Sequence, residues 1–306
     1  MSFHPSASRP TSHASRPWRA EPDAARQVQP ADHVASPAAN GPRHQRDALA
    51  ARVLRGLLDD EFALAFQGIY DAKGALRSVE ALVRWIHPDH GLLAPSAFLV
   101  TMEHPLVARE LTDFVIARAC EYLGERQRAG RAVCSVAVNV PPSVAAAPSF
   151  AAHLRRVFDQ SGADPSLIEI ELSESEDATL FLASPAKTRA LRNTGIKLAL
   201  DDFGTGYSSL STLSIMDFDT VKIARELLVA VPESPRACAV MAGVLNMLEQ
   251  MAVRIVVEGV ETRAQARWLA QWPNVFVQGY LWGKPRLGKL TCLDTLTPDS
   301  RLAMSA

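Results

Sequence analysis

From Asp47 onward the chain alternates short β-branched or apolar runs with longer stretches of helical spacing, and this alternation confines it to an α/β fold. The candidate strands, in order, are Ala63–Gln67, Ser78–Trp85, Ser135–Val140, Ile168–Leu172, Lys197–Asp201, Thr220–Ile223, Arg254–Glu258 and Val275–Gln278. Between most of them lie amphipathic stretches: Leu111–Leu123, Phe150–Phe158, Ala186–Thr194, Ala237–Met251 and Thr262–Trp272. Eight strands with helices between them, over roughly 230 residues, match a (β/α)8 barrel. The alternative is an open doubly wound sheet, but no glycine-rich fingerprint follows the first strand to support dinucleotide binding.

Residues 1–47 are of another kind, rich in Pro, Ala, Ser, Arg and His without apolar periodicity. Such a segment buries too little apolar surface to offset its ordering entropy, so a disordered tail is expected there, followed by a domain over 48–290 and a short tail over 291–306. The tail's arginines are interleaved with Glu21, Asp23 and Asp32, which favours a solvated segment over a nucleic-acid arm. The formal net charge of −1 builds in no general attraction to nucleic acid or anionic membrane, so an anionic ligand must be captured locally and direct DNA binding is not expected. Cys120, Cys134, Cys238 and Cys292 form no Cys-x-x-Cys pair, so neither a zinc ribbon nor a redox motif is signalled and buried thiols are expected. With no bilayer-length apolar run and no signal-peptide core, a cytoplasmic protein without a membrane partner is expected.

Nearly every candidate strand ends in, or carries, a residue able to bind a metal or an anion. Gln67 closes the first, Glu80 and Arg84 lie on the second, and Asn139 on the third. Glu171 and Glu174 mark the fourth, Asp201–Asp202 the fifth, Lys222 the sixth, Glu258 the seventh and Gln278 the eighth. In a barrel the carboxyl ends of the strands converge on one face, so residues distant in sequence become neighbours. Several carboxylates in one mouth repel unless cations neutralise them. Oxygen ligands with an Asn carbonyl, and no His or Cys, select Mg²⁺ or Mn²⁺ over zinc. Two such ions about 3.5–4 Å apart could activate a water and stabilise the attacking and leaving oxygens of a phosphodiester. Lys222 would then hold or deprotonate that water, or balance charge on the phosphate.

Each residue alone has a plainer reading. Glu174 and Glu261 could be helix N-caps. Lys222 could be an interior lysine paired to a carboxylate, Asn139 before Pro141–Pro142 could be turn chemistry, and Gln67 a polar strand end. Their recurrence on successive strands is what these readings do not explain. Asp201-Asp202-Phe203-Gly204 contains a kinase-like Asp-Phe-Gly, but no Gly-rich loop, Val-Ala-Ile-Lys or His-Arg-Asp element accompanies it. Gly279-Tyr280-Leu281-Trp282-Gly283-Lys284-Pro285 is too short for a P-loop and has no Ser or Thr after its lysine. Gly204 and Gly206 suggest a tight, mobile loop over the site.

The stretch Val79-Glu80-Ala81-Leu82-Val83-Arg84-Trp85 resembles the signature of EAL-domain cyclic di-GMP phosphodiesterases. So do Asp201-Asp202-Phe203-Gly204-Thr205-Gly206-Tyr207-Ser208-Ser209, Val257-Glu258-Gly259-Val260-Glu261-Thr262 and Gln278-Gly279-Tyr280, in the right order across residues 60–287. The resemblance implies a TIM-like barrel in which two Mg²⁺ or Mn²⁺ ions open cyclic di-GMP to linear pGpG. It assigns Glu80, Asn139, Glu171, Asp201, Asp202 and Glu258 to the metals, Gln278 to the attacking water and Lys222 to catalysis. Gln67, Leu82 and Arg84 would contact the nucleotide. Glu174 would brace the loop after Asp202, through which family members couple dimerisation to catalysis, and Glu261 would support the site from behind. A homodimer is implied in the same way.

The chain departs from the family pattern in places. Tyr-Gln-Pro becomes Phe66-Gln67-Gly68, and Lys-Ile-Asp becomes Lys222-Ile223-Ala224. Pro141–Pro142 displace a small hydroxyl residue after Asn139, and the stretch Met102–Val107 is poorly kept. Two functions follow. One is a phosphodiesterase that lowers a bacterial second messenger. The other is a weak or inactive barrel that represses gene expression through ligand or protein binding.

Overall fold

The computed structural model describes residues 42–130, 133–206 and 209–287. The expected tail up to residue 41, the C-terminal stretch from 288 and Cys292 lie outside the described residues, as do Tyr207 and Ser208 of the loop motif.

The first element is a helix, α1 (Pro42–Leu58), which begins within the stretch expected as tail. Proline is tolerated in a first helical turn, where its missing N–H has no partner to lose. Beyond it, Ala50 and Val53 are buried against Phe62, Trp85 and Phe98, with Leu49, Leu54 and Leu57 packed alongside. The proline-rich composition upstream masks this one-sided apolar spacing.

Strands β1 (Phe62–Tyr70), β2 (Leu76–His87) and β3 (Gly91–Leu93) follow, then α2 (Pro105–Arg128), β4 (Ser135–Asn139), α3 (Pro142–Ala145) and α4 (Phe150–Ser161). Next come β5 (Ile168–Ser173), α5 (Glu176–Leu182), α6 (Pro185–Arg192), β6 (Lys197–Phe203), α7 (Leu210–Leu213), β7 (Thr220–Ile223) and α8 (Arg225–Leu228). The described chain ends with α9 (Pro235–Gln250), β8 (Arg254–Val257), α10 (Arg263–Leu269), β9 (Val275–Val277) and β10 (Arg286–Leu287). All eight expected strands are present, and β3 and β10 are short additions paired to β2 and β1.

The sheet runs β1-β9-β8-β7-β6-β5-β4-β2, and β1 pairs with β2 as well, which closes a TIM-like barrel of eight strands. Strands from β2 round to β9 pair in parallel. Strand β1 is antiparallel to both neighbours, so the eight strands do not all present their carboxyl ends to one face. The cause is local. Asp71 Oδ1 accepts the backbone N–H groups of Lys73 and Ala75, both at 2.9 Å, and folds the β1–β2 link into a tight turn. A link this short makes a hairpin, because a parallel crossover needs a dozen or more residues.

The parallel strands are apolar on their outward faces, where Ile168, Ile170, Val221, Ile223, Ile255 and Val257 pack under the helices as one continuous core. Inward-pointing residues are polar and stack in layers. At one end Arg254 donates to Ser78 Oγ at 2.6 Å and to Glu169 Oε2 at 3.3 Å, closing the barrel floor. Two residues further along β2 and β5 lie Glu80 and Glu171, and Lys222 lies level with them on β7, paired with Val256 of β8.

Candidate active site

Lys222 is central to the upper layer. It is 1% exposed, one of the largest side chains buried so completely. Its Nζ lies 2.6 Å from Glu258 Oε1, 3.1 Å from Glu171 Oε1, 3.2 Å from Asp201 Oδ1 and 3.4 Å from Glu80 Oε2. These partners come from β2, β5, β6 and the end of β8, so the barrel's closure alone assembles the cluster. Burial by itself would lower the Lys222 ammonium, but Asp201, Glu171, Glu258 and Glu80 together hold it well above the ordinary lysine value.

One ammonium does not balance the carboxylates around it. Burial, and then Glu80, Asp201 and Glu258 as like-charged neighbours, push Glu171 well above the ordinary carboxylate range despite Lys222. Burial also raises Glu258, to about 8, with Asp201 and Glu80 adding to the shift against Lys222. Asp202 is raised by desolvation and by Asp201. Glu80 is the exception. Burial opposes its ionisation, yet Lys222 and hydrogen bonds from Gln278 and Asn139 hold it below the ordinary carboxylate range.

The remaining geometry is set by backbone devices. Register shifts between Leu200 and Phe203 where β6 meets β7, and Asp202 takes a left-handed φ of 57°. Such irregularities re-aim side chains. As a result, ligand oxygens of Asp201, Asp202 and Glu258 lie within 4.8 Å of one another. Beyond them, Glu174 Oε2 accepts the N–H groups of Gly204, Thr205 and Gly206 at 3.1, 3.0 and 3.1 Å and the Thr205 hydroxyl at 3.2 Å. One carboxylate thus gathers residues 204–206, where Gly204 and Gly206 take φ of 106° and 122°.

A polar chain completes the other side. Asn139 Nδ2 donates to Glu80 Oε1 and Gln278 Nε2 to Glu80 Oε2, both at 2.7 Å. Gln278 Nε2 also reaches Gln67 Oε1 at 3.2 Å. Gln67 is not the end of β1, as expected from the sequence, because the strand continues to Tyr70. It reaches the site from mid-strand, opposite Glu80 in the antiparallel register. Leu82 and Arg84 follow Glu80 on the same face of β2, both half-buried, and Arg84 donates to the Val83 carbonyl at 2.8 Å.

Glu261 lies outside the carboxylate cluster, where its Oε1 pairs with Arg225 at 3.2 Å. The Arg225 stem covers Gly259, which has a φ of 66° and where an added Cβ would run into that stem. The first turn of α8, directly after Lys222, therefore clasps the turn that carries Glu258. Sequence reasoning passed over Arg225, since an arginine opening a short helix looks like any solvated charge. Thr262 and Gln265 form a capping box that starts α10 just past Glu261 and fixes the far end of that turn.

The donor set suits a hard divalent cation. Oxygen ligands dominate, and Glu171 Oε2 and Gln278 Oε1 are buried without a hydrogen-bond partner. The shortage of positive charge has the same remedy.

A family model for the EAL domain matches residues 50–285. The cyclic di-GMP phosphodiesterase NbdA of Pseudomonas aeruginosa is 35% identical over 76% of this chain, and the match spans 30% of that protein. The cyclic di-GMP phosphodiesterase RocR of the same organism is 31% identical over 77% of this chain and 60% of its own length. The chain therefore spans less than two thirds of either relative. Among solved structures, the PaMucR phosphodiesterase in complex with c-di-GMP superposes with a TM-score of 0.72 at 28% identity, covering 79% of this chain and 98% of that one. The FimX EAL domain of Pseudomonas aeruginosa, bound to c-di-GMP, shares the fold with a TM-score of 0.69 at 20% identity, over 78% of this chain and 96% of that one. With the acidic barrel mouth in place, the conclusion is that this chain belongs to the EAL domain family.

Proposed function

We propose that the protein hydrolyses cyclic di-GMP to linear pGpG with two divalent ions, Mg²⁺ or Mn²⁺. The observation that carries this reading is the excess of carboxylates over the single ammonium of Lys222, with Glu171 Oε2 left unpartnered beside it. Glu80, Glu171, Asp201, Asp202 and Glu258 would hold the ions, together with the Asn139 carbonyl, whose amide nitrogen is already engaged by Glu80. Bound there, the ions would lower the pKa of the attacking water and neutralise charge on the phosphodiester.

The chain's own groups do the positioning. Lys222, whose ammonium the surrounding carboxylates hold above the ordinary lysine value in the metal-free site, would orient or deprotonate the attacking water or balance charge on the phosphate. Gln278 keeps Oε1 free to accept a hydrogen bond from that water while its Nε2 is fixed on Glu80. Gln67, Leu82 and Arg84 face the nucleotide from β1 and β2. Glu174 keeps the loop after Asp202 folded, and Glu261 acts through Arg225.

Incubating the purified protein with cyclic di-GMP and Mg²⁺ or Mn²⁺ should yield pGpG, and Glu80→Ala or Lys222→Ala should abolish it. Tight binding without turnover by the folded wild type would favour a ligand-sensing regulator instead.

A further inference from the structure

Strand β7 passes from Lys222 almost directly into α8, and the link between them is tied to both neighbouring strands. The Ala224 N–H donates to the Phe203 carbonyl at 3.1 Å, at the end of β6, and the Glu258 N–H donates to the Ile223 carbonyl, also at 3.1 Å, at the end of β8. Helix α8 therefore starts between the loop that follows Asp201–Asp202 and the turn that carries Glu258. Four residues are too few for a helix to hold its own shape. Ala224, at its N-cap, offers no side-chain oxygen to the free N–H groups of the first turn. The placement of α8 must come from what it packs against.

Two of its side chains make that packing, one on each loop. The Leu227 side chain fills the space beside Gly204, where an added Cβ would run into it, and the Arg225 stem does the same at Gly259. Both glycines have positive φ, 106° and 66°, but backbone conformation alone does not call for a neighbour seated on the bare Cα. Gly91, Gly130 and Gly206 also have positive φ, and an added Cβ there would meet nothing within 4 Å. At the far end of α8, Gln265 Nε2 donates to the Leu228 carbonyl at 3.4 Å, while Gln265 Oε1 accepts the N–H groups of Glu261 and Thr262, both at 3.0 Å. The short helix is thus fastened to the Glu258 turn at both ends and rests on the Asp202 loop between them.

We propose that α8 is a spacer that sets the separation of the Asp201–Asp202 and Glu258 ligands, with Arg225 and Leu227 as its positioning residues. This rests on the functional reading above, in which those carboxylates hold divalent ions. Their oxygens lie within 4.8 Å of one another. A small hard cation such as Mg²⁺ demands near-ideal geometry at about 2.0–2.1 Å, so a slight drift of either loop costs affinity. Each positioning residue acts through the glycine beneath it, one residue after Glu258 and two after Asp202, and not by binding an ion itself.

The test is titration calorimetry of Mn²⁺ into the metal-free protein well below its melting temperature, alongside kinetics of cyclic di-GMP hydrolysis across Mn²⁺ concentrations. Leu227→Ala and Arg225→Ala should each raise the Mn²⁺ Kd about tenfold, the usual scale for a group that orients a metal ligand. Turnover at limiting Mn²⁺ should fall in step and recover at saturating Mn²⁺, with KM for the dinucleotide little changed. Leu227→Met, which keeps the volume, and Arg225→Met, which keeps the stem but loses the ion pair to Glu261, should bind Mn²⁺ nearly as tightly as wild type. Alanine variants that melt lower yet, when folded, bind Mn²⁺ as tightly as wild type would overturn the spacer and leave α8 a packing element. Should Leu227→Ala fail to fold, the comparison of Arg225→Ala with Arg225→Met decides, since the Arg225 side chain is 57% exposed. A folded wild type that binds Mn²⁺ but leaves cyclic di-GMP intact would overturn the functional reading and not the spacer, whereas one that takes up no Mn²⁺ overturns both.

Discussion

Lys222 is the residue on which the metal-free site depends. Among the described residues its ammonium is the one positive group in contact with Glu80, Glu171, Asp201 and Glu258, so Lys222→Met leaves buried carboxylates uncompensated. Breaking such a network costs about 3–5 kcal/mol. The variant should therefore melt well below wild type without metal, recover part of the loss in Mn²⁺, and stay inactive. Glu258 yields a pH signature. With its pKa raised from 4.5 to about 8, it favours the folded metal-free protein fully below the lower value. That contribution is lost as pH rises through the higher one. At pH 7 the group holds its proton, so Mn²⁺ binding should release protons, and less so above pH 8. Calorimetry in buffers of different ionisation enthalpy measures this release directly, and proton-neutral binding at pH 7 would contradict it.

Two short elements connect the site's parts. Gly259→Ala would force a side chain into a left-handed backbone and displace the Arg225 stem, at a cost of about 1–2 kcal/mol for the backbone alone. Chemical denaturation should show that loss, and kcat should fall by more than KM changes, because Glu258 sits one residue earlier. The loop after β6 depends on Glu174, so in Glu174→Ala the amides of Gly204, Thr205 and Gly206 should exchange faster with deuterium while those of β6 stay protected. Uniform exchange across both would mean that the whole strand, not the loop, had loosened. What could be read from the sequence divides along these elements. The strand runs around Glu80, Asn139, Glu171, Asp201, Lys222 and Glu258 stood out, since parallel barrel strands are apolar outside and these polar residues interrupt them. The direction of β1 did not, although Asp71 and Gly74 mark the turn that reverses it, because alternation alone does not distinguish a hairpin from a crossover. Helix α1 was hidden by prolines at its start. Arg225 owes its position to contacts with residues far along the chain, of which local pattern carries no trace.

At the scale of the whole molecule, the barrel brings together carboxylates from strands that span most of the described chain and leaves them short of positive charge. Among the described residues no helix is long and apolar enough to cross a membrane. The homodimer implied by the family resemblance is a separate question, answered by light scattering on the purified protein with and without ligand. The central claim is catalytic. Chromatography of cyclic di-GMP incubated with the metal-loaded wild type should show a single product, pGpG, formed with Mg²⁺ or Mn²⁺ and absent with Glu80→Ala. A folded wild type that binds Mn²⁺ and leaves cyclic di-GMP intact would contradict it.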